Sequence, residues 1–215
     1  MHHKPSFLSK LLIVGLVVLV APMAVVEAQP LNKTAAVLIS AVYPNGYQTG
    51  GRDEAFQLMN VGPQEIDITG WSITNNKTTI TFPGVALASG EKIWCSRTAI
   101  AFEEEFGVPP DFEYGENSNT DVRDMTGNPL NLIKAGGELV LLNAEGIIVD
   151  AMVYGTGNVE QPGWKGYSVK PYSAGRAKGQ ILYRKLDQTT GWPVPDTDTV
   201  ADWAQDPNDP INGRK

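Results

Sequence analysis

Cysteine and histidine are nearly missing from this chain. One cysteine, Cys95, occurs in 215 residues, so no disulfide can form within it. An isolated thiol of this kind reads as a small buried apolar residue rather than a reactive group. The two histidines are His2 and His3, at the extreme start. Excess positive charge is lacking as well: 17 Lys+Arg stand against 24 Asp+Glu, a formal −7. Such an acidic chain is a poor bulk binder of nucleic acid or anionic membrane. Long apolar runs are limited to residues 11–26, LLIVGLVVLVAPMAVV.

That run sets an expectation about the N-terminus. Lys4 and Lys10 precede it, Pro22 breaks it, and Val26-Glu27-Ala28 places small residues at −3 and −1. These are the three parts of a secretory signal peptide, with cleavage expected after Ala28. The run is also shorter than the ~20 apolar residues of a spanning helix. The expected mature chain has 187 residues and no histidine, and loss of Lys4, Lys10 and Glu27 takes the charge from −7 to −8. Without histidine, Ser-His-Asp and Cys-His catalysis and His-ligated zinc are excluded. A secreted or cell-envelope location follows, with no membrane span after cleavage.

Most of what remains reads as short strands. Residues 36–43 are apolar and β-branched, stopped by Pro44-Asn45-Gly46. A Gly-rich loop fills 47–53, and 54–60 alternates polar and apolar. Further strand patterns lie at 66–73, 78–82, 85–87, 92–95, 130–133, 138–143, 147–154 and 180–186. Asn143-Ala144-Glu145-Gly146 predicts a hairpin turn. Residues 98–106, TAIAFEEEF, are the one helix pattern, with Thr98 expected to cap it and Gly107 to close it. Residues 111–128 read as a polar surface loop. Short strands at this spacing with one short helix argue an all-β sandwich. The expected organisation is a signal peptide at 1–28, a sandwich at 35–186, and an acidic, Pro-rich extended tail or linker at 187–215.

Several spaced motifs between residues 35 and 155 resemble the lamin-tail domain, an immunoglobulin-like sandwich. They are ISAVYPNG at 39–46, DEAFQLMN at 53–60, DITGWSI at 67–73, FP at 82–83 with LASGE at 87–91, and LVLLN at 139–143 with DAMVYG at 150–155. The motif residues Tyr43, Asn45, Glu54, Asn60, Asp67, Gly70 and Trp71 read as fold-forming. Glu54 and Asn60 are placed to satisfy loop N–H groups, Asp67 to cap a turn, and Trp71 to enter the core. The resemblance implies an exported, non-catalytic binding or tethering module. Residues 179–207 resemble a joint that precedes a phospholipase D-like domain in longer relatives. This implies a second reading, the N-terminal accessory part of a split or truncated hydrolase, although the chain has no histidine-lysine-aspartate motif of its own.

Three groups of residues carry candidate chemistry. Asp196, Asp198, Asp202, Asp206 and Asp209 could offer hard oxygens to weakly bound Ca²⁺, the one cofactor expected. Their spacing lacks the glycine and terminal glutamate of an EF-hand. Lys165, Lys170, Arg176, Lys178, Arg184 and Lys185 lie in a stretch without acids, interleaved with Trp164, Tyr167, Tyr172 and Tyr183. That mixture suits weak binding of an anionic polymer such as single-stranded nucleic acid. Glu103, Glu104, Glu105 and Glu116 are the carboxylates left for glycoside hydrolysis. The triplet reads more simply as the wet face of the helix, so no enzyme is expected. The expected partner is an envelope or extracellular protein or polymer.

Overall fold

The computed structural model describes residues 36–170 and 178–204. The expected signal peptide, Arg176, Tyr172, Asp206 and Asp209 lie outside the described residues. Two sheets form the sandwich. The six-stranded sheet has the order β13-β1-β2-β7-β8-β9. It is built from β1 (Val37–Tyr43), β2 (Ala55–Asn60), β7 (Lys92–Ser96), β8 (Phe112–Glu113), β9 (Arg123–Asp124) and β13 (Leu182–Tyr183). The five-stranded sheet has the order β10-β5-β4-β11-β12. Its members are β4 (Ser72–Thr74), β5 (Thr79–Thr81), β10 (Thr126–Gly127), β11 (Gly136–Leu142) and β12 (Ile148–Gly155). A separate pair joins β3 (Ile66–Asp67) to β6 (Ala86–Leu87). All-β architecture with one short helix is therefore observed.

The alternation expected over 54–60 does not appear as alternating burial in β2, and β1 is likewise covered throughout. Every residue of both strands is buried. One face of their sheet looks inward, where Ile39, Phe56 and Leu58 meet Ile73, Leu141 and Met152 of the opposite sheet. The other face lies under α1 (Ala99–Phe106), where Ala41, Tyr43 and Ala55 form a second cluster with Phe102 and Ile181. The Tyr43 and Phe106 rings meet edge to face at 5.3 Å. A strand covered on both faces carries a continuous apolar run. A bulge between Ile39 and Ala41 bends β1 against β2.

The helix ends as expected but begins differently. Gly107 adopts the left-handed conformation (φ 76°) and its N–H reaches the Glu103 carbonyl. Thr98 makes no side-chain cap. The cap comes from Glu113 on β8, whose Oε2 accepts from Ala99 N–H at 2.9 Å. The same carboxylate takes Ser118 N–H (2.8 Å), Ser118 Oγ–H (2.7 Å) and Asn119 N–H (3.2 Å). Glu113 is fully buried. Thus 111–128 is not a simple surface loop. It supplies β8, β9 and β10, with β8 and β9 running parallel from β7. Residues 130–133 form no strand, although Leu130 and Leu132 are buried in the core.

The C-terminal segment is a correction to the sequence reading. Residues 187–204 pack onto the sandwich instead of trailing as a linker. Asp187 Oδ1 turns the chain by accepting Thr189 and Thr190 N–H. Thr199 and Asp202 form a capping box around a 3-10 turn, Val200–Asp202. Trp203 is fully buried in the main core, and Ala204 N–H bonds to the Tyr183 carbonyl beside β13. Here Asp187 and Asp202 make a turn and a cap on a packed surface, and Pro193 bridges to Leu186.

Candidate functional site

Arg184 is the centre of the first charged cluster. Its side chain is 2% exposed, which removes it from any polymer-binding surface. Nη2 donates to both carboxylate oxygens of Asp150 at 2.7 and 2.8 Å. Nη1 donates to Asp196 at 3.0 Å and lies 3.7 Å from Asp202. Nε donates to the Ile39 carbonyl at 2.9 Å, while Ile39 N–H donates to Asp150 at 2.7 Å. The bulged backbone of β1 is thereby held from both sides. The guanidinium also sits 5.1 Å from the centre of the Trp203 ring. This knot joins β1, β12 and the C-terminal segment.

The acidic residues expected to hold Ca²⁺ face cations and N–H groups instead. Asp196 engages Arg184, Asp198 pairs with Lys165 at 2.7 Å, and Asp202 accepts from Thr197 and Thr199 N–H. No three His, Cys, Asp or Glu residues are placed to hold a metal ion among the described residues. Asp196, Asp198 and Asp202 are thus engaged with cations and N–H groups, while Asp206 and Asp209 lie outside the described residues. The basic stretch is similarly divided. Lys165 is on Asp198 and Arg184 is buried, while Lys170, Lys178 and Lys185 each interact within the chain. Trp164 belongs to the core, and Tyr167 stands 81% exposed.

The fold-motif residues fall where their chemistry suggested. Asn60 is fully buried; its Oδ1 accepts Gly62 N–H at 2.9 Å and its Nδ2 donates to the Gln64 and Leu87 carbonyls, each at 2.8 Å. Asp67 Oδ1 accepts Thr69 N–H at 2.8 Å in the turn that Gly70 completes. Trp71 is half-buried against the core. Asn45 accepts Gly179 N–H through its carbonyl. Glu103 and Glu104 are exposed on α1, and Glu116 pairs with Arg52 at the surface.

Glu54 combines burial with an open oxygen. It is 5% exposed, just before β2. Oε2 accepts Leu132 N–H at 2.8 Å and lies 3.8 Å from Arg97 Nη1. Burial is the main cause that pushes its carboxyl up to about 7, against the pull of the Leu132 hydrogen bond and Arg97. The residue lines a pocket of about 520 Å³ between the 44–51 loop and residues 131–134, with Lys134 and Lys178 also on its wall. The preceding residue, Asp53, is fully buried and holds the loop by accepting Tyr47 and Gln48 N–H at 2.7 and 3.1 Å.

Sequence reasoning missed Asp150, Asp53 and Glu113 as buried anchors, and misplaced Arg184. A usable signal was present for Asp150, a lone charge that interrupts the apolar strand IIVDAMVY.

The fold is similar to that of a DUF4876 family protein from Bacteroides thetaiotaomicron VPI-5482. The two share 14% identity over 79% of this chain and 70% of that one, with a TM-score of 0.57. No curated protein matches the chain. The family model for the Lamin Tail Domain matches residues 30–156, more than half of the sequence, and covers β1 through β12. The chain belongs to the lamin tail domain family.

Proposed function

We propose that the protein is an exported, non-catalytic binding or tethering module of lamin-tail type. The observation that carries this reading is family membership over residues 30–156. The family is an immunoglobulin-like domain whose members generally do not catalyse reactions. The buried charged residues support it, because Arg184, Asp150 and Glu113 act on one another and on backbone groups. Sandwiches of this kind present loops and strand edges to partners over a rigid core. Export is supported by the N-terminal signal pattern, and no helix among the described residues is long and apolar enough to cross a membrane.

The test has two arms. The full chain, tagged at its C-terminus and expressed in a bacterium, is fractionated and its N-terminus sequenced. Export predicts a product beginning at Gln29 in the envelope or medium; a cytoplasmic product retaining Met1 refutes it. The purified mature chain is then crosslinked on intact envelopes. Tethering predicts a saturable, competable adduct, and unsaturable labelling refutes it. The accessory-part reading instead predicts a complex with a separately encoded phospholipase D-like chain.

A further inference from the structure

A small pocket of about 180 Å³ opens on the six-stranded sheet, beside Leu186 and Pro193 of the C-terminal segment. Strand register places its side chains. Tyr183, Ala41, Gln57 and Trp94 form one row across β13, β1, β2 and β7, and Met59 opposes Lys92 in the next row. Residues two apart on a strand share a face, so Gln57, Met59, Lys92 and Tyr183 project to the same side. That side is the outer one, where Ala41 clusters with Phe102 of α1. Lys92 lies diagonally across from Gln57, a spacing that a long side chain spans. Ala41, the small member of its row, adds no bulk between Gln57 and Tyr183.

Gln57 is the unusual residue. It is 8% exposed, in a strand whose six residues are all buried. A leucine there would fill similar space without the cost of burying an amide. Gln57 Oε1 accepts from Ser40 Oγ at 2.8 Å. Its Nε2, on the pocket wall, meets no acceptor among the described residues. Lys92 is exposed on the same wall and forms no ion pair among them. No aspartate or glutamate lines the pocket among the described residues, and Arg184 at its edge is neutralised by Asp150 and Asp196. The pocket therefore holds an unmatched amide donor and an unmatched positive charge, a pairing that favours an anion. Met59, Leu186 and Pro193 add an apolar wall, which a hydrated inorganic anion does not use. The volume falls below the roughly 300–1,000 Å³ of pockets that take drug-sized ligands, so the occupant is small.

We propose that this pocket binds a short-chain monocarboxylate, its oxygens on Gln57 Nε2 and Lys92 Nζ and its alkyl group against Met59, Leu186 and Pro193. The site goes beyond the tethering reading and does not rest on it. It is measured on the purified chain, so its failure leaves envelope tethering untouched.

The experiment is NMR titration of the purified mature chain with acetate, propionate and butyrate up to about 50 mM, at constant ionic strength held with chloride. Propionamide tests the charge, and inorganic phosphate tests the apolar wall. A short peptide with a free C-terminus, and the same peptide amidated, separate a free acid from a carboxylate carried on a chain. The expected result is saturable millimolar binding of propionate or butyrate, as suits so small a ligand. The side-chain amide resonances of Gln57 should shift with it, and propionamide, phosphate and the peptides should bind about tenfold more weakly or not at all. Gln57→Leu keeps the volume, and Ser40 Oγ retains the Gln57 carbonyl at 3.2 Å. That variant should melt at or above the wild-type temperature and lose binding. Lys92→Ala should weaken binding several-fold, whereas Lys77→Ala, an exposed lysine outside this pocket, should not. Absence of saturable binding by all three acids overturns the proposal. So does equal or tighter binding of phosphate, propionamide or the free-C-terminus peptide, an unmoved Gln57 amide, affinity retained in folded Gln57→Leu, or equal losses in Lys92→Ala and Lys77→Ala.

Discussion

Replacing Arg184 by methionine tests whether the buried knot holds the C-terminal segment to the sandwich. The change keeps an apolar stem of similar length and removes the guanidinium. Four hydrogen bonds go with it: two to Asp150, one to Asp196 and one to the Ile39 carbonyl. Asp150, fully buried, keeps only Ile39 N–H and Ala151 N–H. Removing one partner of a buried ion pair typically costs about 3–5 kcal/mol, because the other charge stays buried and uncompensated. Asp196 and Asp202 then also face Asp150 without a cation between them. For a chain of this size the loss corresponds to a fall of roughly 6–20 °C in melting temperature. Urea unfolding of Arg184→Met, Asp150→Asn and the double variant measures it. Asp150→Asn should cost less than Arg184→Met, since Arg184 retains Asp196 and Asp202. The double variant should fall short of the sum of the singles by at least about 2 kcal/mol. A loss below about 1 kcal/mol for Arg184→Met, or additive singles, refutes the knot. A surface arginine contacting a polymer would give that null result.

Glu54 predicts a pH dependence. Its folded carboxyl lies near 7, above the ~4.3 of an unfolded glutamate. Between these values the folded chain holds a proton that the unfolded chain has lost, so stability falls as pH rises through that window. Urea midpoints should show a decline on the order of 2 kcal/mol between pH 5 and 8 that Glu54→Gln flattens; identical slopes would refute it. Trp203→Ala should cost about 3–5 kcal/mol, and deletion of residues 187–215 should lower the melting temperature at least as far. A truncated chain melting like the full one would return 187–204 to the status of a linker. Glu113→Ala, which leaves four donors without their acceptor, should cost about 2–3 kcal/mol and reduce helical circular dichroism. An unchanged helical signal would show that α1 does not depend on this cap.

Strands and turns were legible where one residue pattern had one cause. The hairpin through Asn143-Ala144-Glu145-Gly146 sits between β11 and β12, with Asn143 Oδ1 accepting Glu145 and Ile147 N–H. The apolar run of β1 was equally plain. What the sequence concealed depends on distance along the chain. Ala99 and Glu113 meet across 14 positions, Glu54 and Leu132 across 78, and Ile39 and Arg184 across 145. Local pattern gave Thr98 the cap because it lies next to the helix, whereas the stronger acceptor arrived from β8. The same limit turned Arg184 into a surface cation. Composition assigns a charge to a stretch; only packing decides which charge another has already claimed.

Asp53 and Glu54 show how a family motif can encode loop position and still leave chemistry over. They are adjacent, and their carboxylates go to different places. Asp53 turns to the 46–48 backbone and Glu54 to Leu132. Together they fix both walls of one pocket, since residues 44–51 and 131–134 line it. A purely structural anchor would be served best by a carboxylate with both oxygens paired, as in Glu113. Glu54 departs from that pattern: one oxygen is used for the fold and the other faces Gly51. Its raised carboxyl is chiefly the electrostatic cost of burial, with Asp53 adding to it. Asp53 likewise leaves Oδ1, and Tyr43 its hydroxyl, buried without a hydrogen-bond partner among the described residues, so in this motif an unpaired oxygen accompanies the anchoring role and does not by itself mark a binding site.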